Sequence, residues 1–265
     1  MTFELLISTM QKKNMKDIRD MLARMNVKCD CIVINQCDEK NEFFENNGEQ
    51  KIHAIFTNER GLSKSRNLAL KKSKADIVAI ADDDLYYYDN FDKKIISYYE
   101  KNNRADIVLF GIDSYRIKCS NKEMKCKFLK LGSYISVQTS LNRTRVLQRG
   151  IFFNELFGTG SGVYNSGEEN IFLADCYKQK LRIFYCPDKI LKHEESESSW
   201  FTGYNEKFLS DRGAIYQAVY GSFSILYILR FIFIYKKLFA PITPSYAFRL
   251  MILERKKFKK YKCIF

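Results

Sequence analysis

Proline and glycine are scarce in this chain, at 3 and 12 of 265 residues. That scarcity, beside 46% hydrophobic and 15% aromatic residues, excludes a disordered, collagenous or low-complexity protein. The length suits one large domain, or a domain with an appendage, and is ample for a buried core. No secretory leader is legible. Met1-Thr2-Phe3-Glu4-Leu5-Leu6-Ile7 carries an acid and lacks a basic lead, a long apolar run and a small-residue cleavage site. The 8 cysteines therefore read as reduced thiols of a cytosolic protein, not as a disulfide framework. Paired C-x2-C spacing is missing as well. Cys29, Cys31 and Cys37 crowd together, but with His53 the only histidine within reach they make a poor zinc site. Acidic residues are outnumbered, 31 against 44 Lys and Arg, and the net charge of +13 asks for an anionic partner. Nucleoside diphosphate, anionic lipid and nucleic acid all answer to that description.

Short apolar runs alternate with helical patterns through the first 112 residues. Runs at 3–9, 31–34, 52–56, 76–81 and 106–112 read as buried strands, continuous in character because helices cover both faces. Between them, Ile18, Met21, Leu22 and Met25 recur at helical spacing, and 62–72 and 91–100 read as further helices. Such alternation argues for an open, mostly parallel α/β sheet. Ligands of such sheets sit beyond the carboxyl ends of the strands, which directs attention to Thr9, Asn35 to Asp38, Asn58, and Asp82 to Asp84. The second half is less regular: 134–141 extended, 143–149 helical, a Gly/Ser/Asn loop over 157–167, a helix from about Glu168 to Gln179, and a strand Arg182–Cys186 stopped by Pro187.

Asp82, Asp83 and Asp84 follow the fourth strand directly. Adjacent carboxylates repel one another and are costly without a cation. Alternate residues of an extended segment share a side, so Asp82 and Asp84 are expected to face one pocket, with Asp83 turned away. A divalent ion there would neutralise them and keep coordination positions for a diphosphate; an acidic turn or helix cap is the bland alternative. Upstream, Asn58 to Asn67 (NERGLSKSRN) sets Gly61, Ser63, Ser65, Arg66 and Asn67 at a helix start, where backbone N–H groups and the helix dipole favour an anion. Arg66 can clamp phosphate oxygens there, or stand as an ordinary solvated helix residue.

The pattern N-x2-G-L-S-x-S-R-N-x-A-L, then an apolar strand ending in D-D-D, resembles the nucleotide-sugar half of family 2 glycosyltransferases over roughly residues 3–200. That resemblance implies a glycosyltransferase A-type, Rossmann-like, mostly parallel sheet and inverting chemistry. It implies a catalytic domain over 1–205, divided into a nucleotide-sugar half (1–112) and an acceptor half (113–205), followed by a helical appendage at 206–265. Asp82 and Asp84 match the family's D-x-D element, Asp84 as a ligand of Mn2+ or Mg2+, and Arg66 and Asn67 its R-N element. Thr9, Asn35, Asp38, Ser63 and Asp83 join these as donor-binding candidates for a nucleoside-diphosphate sugar, foremost a UDP-sugar. Phe152 to Gly158 looks like the family's approach to the acceptor loop. Gly167-Glu168-Glu169 stands where the family has G-E-D, which makes Glu169 the candidate base, with dipole capping as its alternative. His193 resembles the late histidine of the metal or diphosphate site. Two departures bear on the nucleotide's identity: Ser8-Thr9-Met10-Gln11 replaces P-x-Y-N, and Asn35-Gln36-Cys37-Asp38 replaces D-x-S-x-D.

Residues 214–235 are strongly apolar, and a basic tail follows at Arg255, Lys256, Lys257, Lys259, Lys260 and Lys262. Gln217 and Arg230 interrupt a clean membrane span, so an interfacial helix on an anionic membrane surface is the favoured expectation, against a core or oligomer-forming helix. With it goes a peripheral location on the inner face of the cell membrane and a glycan or polyprenyl-linked acceptor for surface polysaccharide. Trp200, Phe201 and Tyr204 are candidates for an aromatic acceptor platform, or for packing of the C-terminal segment. Two other functions answer to the same composition. A nucleotidyltransferase would need a Gly-rich loop after the first strand, where Met10-Gln11-Lys12-Lys13 has no glycine. A nucleic-acid-binding protein would need a recognition motif, and no zinc-finger or RNP signature occurs.

Overall fold

The computed structural model describes residues 1–114, 119–193 and 203–261. In chain order the first part of the chain contains β1 (Phe3–Met10), α1 (Met15–Arg24), β2 (Cys31–Gln36), β3 (Asn41–Asn46), β4 (Lys51–Thr57), α2 (Leu62–Lys72), β5 (Ile77–Asp82), β6 (Leu85–Tyr87), α3 (Phe91–Lys101) and β7 (Ile107–Asp113). There follow β8 (Met124–Lys125), β9 (Thr139–Asn142), α4 (Arg143–Leu147), α5 (Glu168–Lys178), β10 (Ile183–His193), and the helices α6 (Glu206–Tyr220), α7 (Ser224–Tyr235) and α8 (Pro244–Tyr261).

The strands form one sheet in the order β3-β4-β2-β1-β5-β9-β7-β10-β6, with β8 also paired to β10. β4, β2, β1 and β5 are mutually parallel, β9 runs antiparallel between β5 and β7, and β10 lies parallel to β7. Successive residues of β1 divide between two cores, as a pleated strand requires. Leu5 and Ile7 pack with Ile18, Met21 and Leu22 of α1 and Ile95 and Tyr99 of α3. Leu6 packs on the other face with Ala69 and Leu70 of α2 and Phe172 and Leu173 of α5. Burial on both faces is why these strands read as unbroken apolar runs.

Four elements differ from their sequence expectation. The edge strand β3 (NEFFEN) was not anticipated, because four of its six residues are polar and exposure on one face dilutes the apolar signal. Residues 134–141 are mainly a 3-10 turn at Ser136–Gln138, with strand only from Thr139. Pro187 does not end its strand. β10 continues to His193, with register shifts against β7 between Cys186 and Leu191, a site where a missing N–H removes no ladder bond. Finally, the apolar run 214–235 is broken at Gly221 (φ 56°, ψ −124°) into the separate helices α6 and α7.

The C-terminal helices are joined to the sheet domain through α5. Ala214, Ile215 and Ala218 of α6 share a core with Ile171 and Ala174 of α5 and with Phe258 of α8. A second cluster, including Leu209, Ile228, Phe231, Phe239 and Met251, unites α6, α7 and α8. The close approach of α6 to α8 depends on Gly213, where an added methyl would stand 2.2 Å from the Met251 carbonyl oxygen. A Gly213→Ala protein is therefore expected to lose about 1–3 kcal/mol of stability from overpacking. Thermal unfolding of the purified chain checks this; an unchanged midpoint would show that the helices part without cost.

Candidate active site

The parallel strands bring their carboxyl ends to one edge of the sheet. Thr9 of β1 lies opposite Asn35 of β2, and Ser8 lies opposite Asp82 of β5. Past β1 the chain turns at Gln11, whose left-handed backbone (φ 58°) leads into Lys12. Asn35, fully buried, holds Lys12 on both sides: the Lys12 N–H donates to its Oδ1 at 3.0 Å and its Nδ2 donates to the Lys12 carbonyl at 2.8 Å. Lys12 Nζ in turn pairs with Asp83 at 3.1 Å, and the Thr9 hydroxyl donates to the same carboxylate at 2.5 Å. Thr9, Asn35 and Asp83 thus form one cluster about a lysine that no motif singled out. Asp83 turns back toward β1 and does not point away from the strand ends, the reverse of the expectation from alternation. The reason is that Asp82 closes β5 and Leu85 opens β6, so the segment between is a turn and not a strand. Asp38 belongs to a separate surface pair, with Arg60 Nη2 at 2.5 Å.

Arg66 occupies the interior beneath these ends, with 1% exposure. One guanidinium nitrogen donates to Glu168 Oε1 at 3.0 Å; the other donates to Asp82 Oδ1 at 3.1 Å and to the Ser136 hydroxyl at 2.9 Å. Burial acts to lower the Arg66 pKa, but the carboxylates of Asp82, Glu168 and Glu169 outweigh it and hold the group charged. The alternative of a solvated helix residue is therefore corrected: Arg66 is buried as an internal counter-ion for protein carboxylates. Its neighbours on α2 are committed in the same way. Ser63 donates to the Phe157 carbonyl at 2.6 Å. Asn67 bonds the Phe153 carbonyl and N–H at 2.9 and 2.8 Å, and Glu155 at 3.0 Å. The Leu62 N–H, at the start of α2, donates to the Thr159 carbonyl at 2.9 Å. Ser63, Asn67 and the Leu62 N–H are thus taken up by segment 153–159, which they hold against the start of α2.

That loop leads to Gly167, in the left-handed region (φ 94°), which opens α5 with Glu168 and Glu169 in its first turn. Glu168 is buried on Arg66. Glu169 stands beside it with its pKa well above the ordinary carboxylate value. Burial contributes most, then the charge of Glu168 and a hydrogen bond to it, with Arg66 opposing. Glu168, read from sequence only as a cap, is the link between Glu169 and the Asp82 end of β5.

The strand that Pro187 fails to stop carries His193 to the end of the sheet where Asp84 lies. In the β6–β10 ladder His193 pairs with Leu85, the residue next to Asp84. The buried Nδ1 of His193 has no hydrogen-bond partner. Among the described residues no set of three or more His, Cys, Asp or Glu side chains is arranged to hold a metal ion. Two protein ligands, a carboxylate and an imidazole, still suit a divalent ion that takes its remaining ligands from phosphate oxygens and water. Trp200 and Phe201 lie outside the described residues. Tyr204 packs on Phe208, ring centroids 5.1 Å apart, within the C-terminal helical cluster.

A sequence model of glycosyl transferase family 2 matches residues 18–162, more than half of the chain. The chain belongs to that family. This family 2 glycosyltransferase also resembles solved structures of S. aureus TarS. With TarS 1-349 it shares 13% identity at a TM-score of 0.59, over 98% of this chain and 92% of that one. TarS 1-349 in complex with UDP-GlcNAc matches at 14% identity and a TM-score of 0.59, over 98% and 92% of the two chains. The complex with UDP matches at 14% and 0.57, over 100% and 72%. At these identities the likeness bears on the fold, and it bears out the expected A-type sheet. No curated protein matches the chain.

Proposed function

We propose that the protein transfers a sugar, with inversion, from a nucleoside-diphosphate sugar to a hydroxyl of a glycan or polyprenyl-linked acceptor in the building of a surface polysaccharide. The arrangement that carries this reading is Glu169 at the start of α5, joined through Glu168 and Arg66 to the Asp82 end of β5. Glu169 takes the proton of the acceptor hydroxyl as that oxygen attacks the anomeric carbon. The bond from that carbon to the diphosphate oxygen breaks, and its electron pair leaves with the nucleoside diphosphate. Its raised pKa makes Glu169 a stronger proton acceptor, when ionised, than an ordinary carboxylate. Arg66 holds Glu168 in place beside it, and Ser136 fixes the guanidinium from the other side.

Charge argues for a divalent ion in the working enzyme. Asp82, Asp83, Glu168 and Glu169 set four carboxyl groups at this end of the sheet, with Arg66 paired to Asp82 and Glu168 and Lys12 paired to Asp83. A diphosphate entering such a surplus of carboxylates is repelled. Asp84 and His193 are the residues that would hold Mn2+ or Mg2+, which when bound offsets charge on the departing diphosphate. The UDP and UDP-GlcNAc complexes of TarS favour uridine as the nucleotide here. Lys12 and Thr9, set on Asp83 at the end of β1, stand where the donor's ribose or base would meet the sheet.

Calorimetric titration of the full chain with UDP, UDP-GlcNAc and other nucleoside diphosphates, with and without Mn2+, tests the donor and the metal together. UDP binding that requires the metal, and that weakens at least about tenfold in Asp84→Asn, is expected from loss of a charged ligand. Equal binding without metal would overturn the metal assignment, and failure of every nucleotide would overturn the donor assignment.

A further inference from the structure

The outward face of α7 is apolar, the opposite of what a surface helix of a soluble domain presents. Ser224, Ile228, Phe231 and Ile232 are buried against the neighbouring helices. Leu226, Leu229 and Phe233, spaced three and four residues apart on the other side, are 62%, 49% and 78% exposed. Phe223 and Leu238 extend the strip at its two ends. Beside it opens a cavity of about 500 Å3, lined in part by Tyr220, Phe223, Leu226 and Tyr227, with Lys178 at its wall.

Charge identifies what covers this face. Residues 221–265 hold ten Lys and Arg against a single acid, Glu254, so this short region supplies nine of the chain's thirteen net positive charges. Arg230, Lys236, Lys237, Arg249, Lys256, Lys257, Lys259 and Lys260 are all exposed. A second copy of the chain would bring the same surplus of cations to the contact and be repelled by it. An apolar strip bordered by cations matches the boundary between acyl chains and anionic headgroups.

We propose that α7 docks the protein on an anionic bilayer as an interfacial helix, with Leu226, Leu229 and Phe233 entering the acyl boundary and the basic residues of α7 and α8 resting on the phosphates. The stretch Glu206–Tyr235 is apolar and long enough, by composition, to cross a membrane. The break at Gly221 and the packing of α6 against α5 and α8 leave the outer face of α7, its inner face being packed on α6 and α8, as the part of this stretch open to a bilayer. Its twelve residues span about 18 Å, short of the roughly 30 Å hydrocarbon core. The helix lies on the bilayer and does not span it. The cavity beside Phe223 gives room for a lipid chain displaced by the strip.

Flotation of the full chain with vesicles tests this without reference to transfer activity. Binding to phosphatidylcholine vesicles containing phosphatidylglycerol, and not to phosphatidylcholine alone, is expected, with loss at high salt. The variant Leu226→Glu/Phe233→Glu is expected to lower partitioning at least about tenfold. Lys236→Glu/Lys237→Glu weakens it through charge alone. An unaltered thermal midpoint in both proteins separates loss of docking from loss of fold. Equal binding to the two vesicle types, undiminished binding of the Leu226→Glu/Phe233→Glu protein, or a lipid-free dimer that this variant dissociates would overturn the proposal, the last by assigning the strip to a second copy.

Discussion

In a Glu169→Gln protein, sugar transfer is expected to fall by about 10²–10⁴-fold, the usual worth of a positioned general base, while UDP binding by calorimetry stays within about twofold. The substitution keeps the shape and one hydrogen bond of the side chain and removes only the capacity to accept a proton. The pH profile of the unaltered enzyme carries a second signature. The base works only when ionised, so kcat/KM rises with pH through the Glu169 pKa. Because that pKa is raised, first by burial and then by the charge of Glu168, the acid limb is expected above the range of an ordinary carboxylate. Glu168→Gln removes the neighbouring charge, lowers the Glu169 pKa and moves the limb to lower pH. A limb at the ordinary carboxylate position that Glu168→Gln does not move would assign the base to another residue. Transfer undiminished in Glu169→Gln would do so outright.

Much of the sheet was legible because its central strands are buried on both faces and so appear as apolar runs. Leu5, Leu6 and Ile7, or Ile77 to Ala81, could be little else. β3 was not legible, since an edge strand with one wet face mixes Asn, Glu and Phe without a dominant period. Pro187 misled for a local reason: the rule that proline stops a strand assumes a ladder bond at that position, and the register shift there has none. The consequence reaches the site, because only the continued strand carries His193 to the rung of Leu85, next in sequence to Asp84. Among the site residues, the type of Arg66 pointed to an anion while its partner could not be read. A guanidinium fits a phosphate and a carboxylate alike, and Glu168, 102 residues further along the chain, was visible only as a helix cap. Lys12 was passed over for a related reason. Its role comes from Asn35 gripping its backbone, a contact between strands that no spacing in one segment announces.

Arg66→Met is expected to cost about 3–5 kcal/mol of stability, a large part of the 5–15 kcal/mol that holds a typical domain together. Methionine approximates the aliphatic stem over Phe153, whose ring lies 5.5 Å from the guanidinium carbon. The loss is therefore electrostatic: Glu168, buried with Arg66 as its cation, and Asp82 are left without compensation. Lysine does not rescue the site, because its single ammonium cannot reproduce the fork that joins Asp82, Glu168 and Ser136. Two features distinguish this account from a cavity left by a smaller side chain. Carboxylates stripped of their cation have raised pKa values in the folded state, so the variant's deficit is largest above those values and shrinks as the pH falls and they become protonated. Adding Glu168→Gln to Arg66→Met should also return part of the stability, since it removes one of the uncompensated charges, and the coupling energy in that cycle should be well above the additive expectation. Denaturant unfolding of the four proteins at neutral and mildly acid pH measures both. A deficit below about 1 kcal/mol, or one that neither pH nor Glu168→Gln alters, would mean that the Arg66 ion pairs do not hold α5 to the sheet. The proton-accepting position of Glu169 would then need another support.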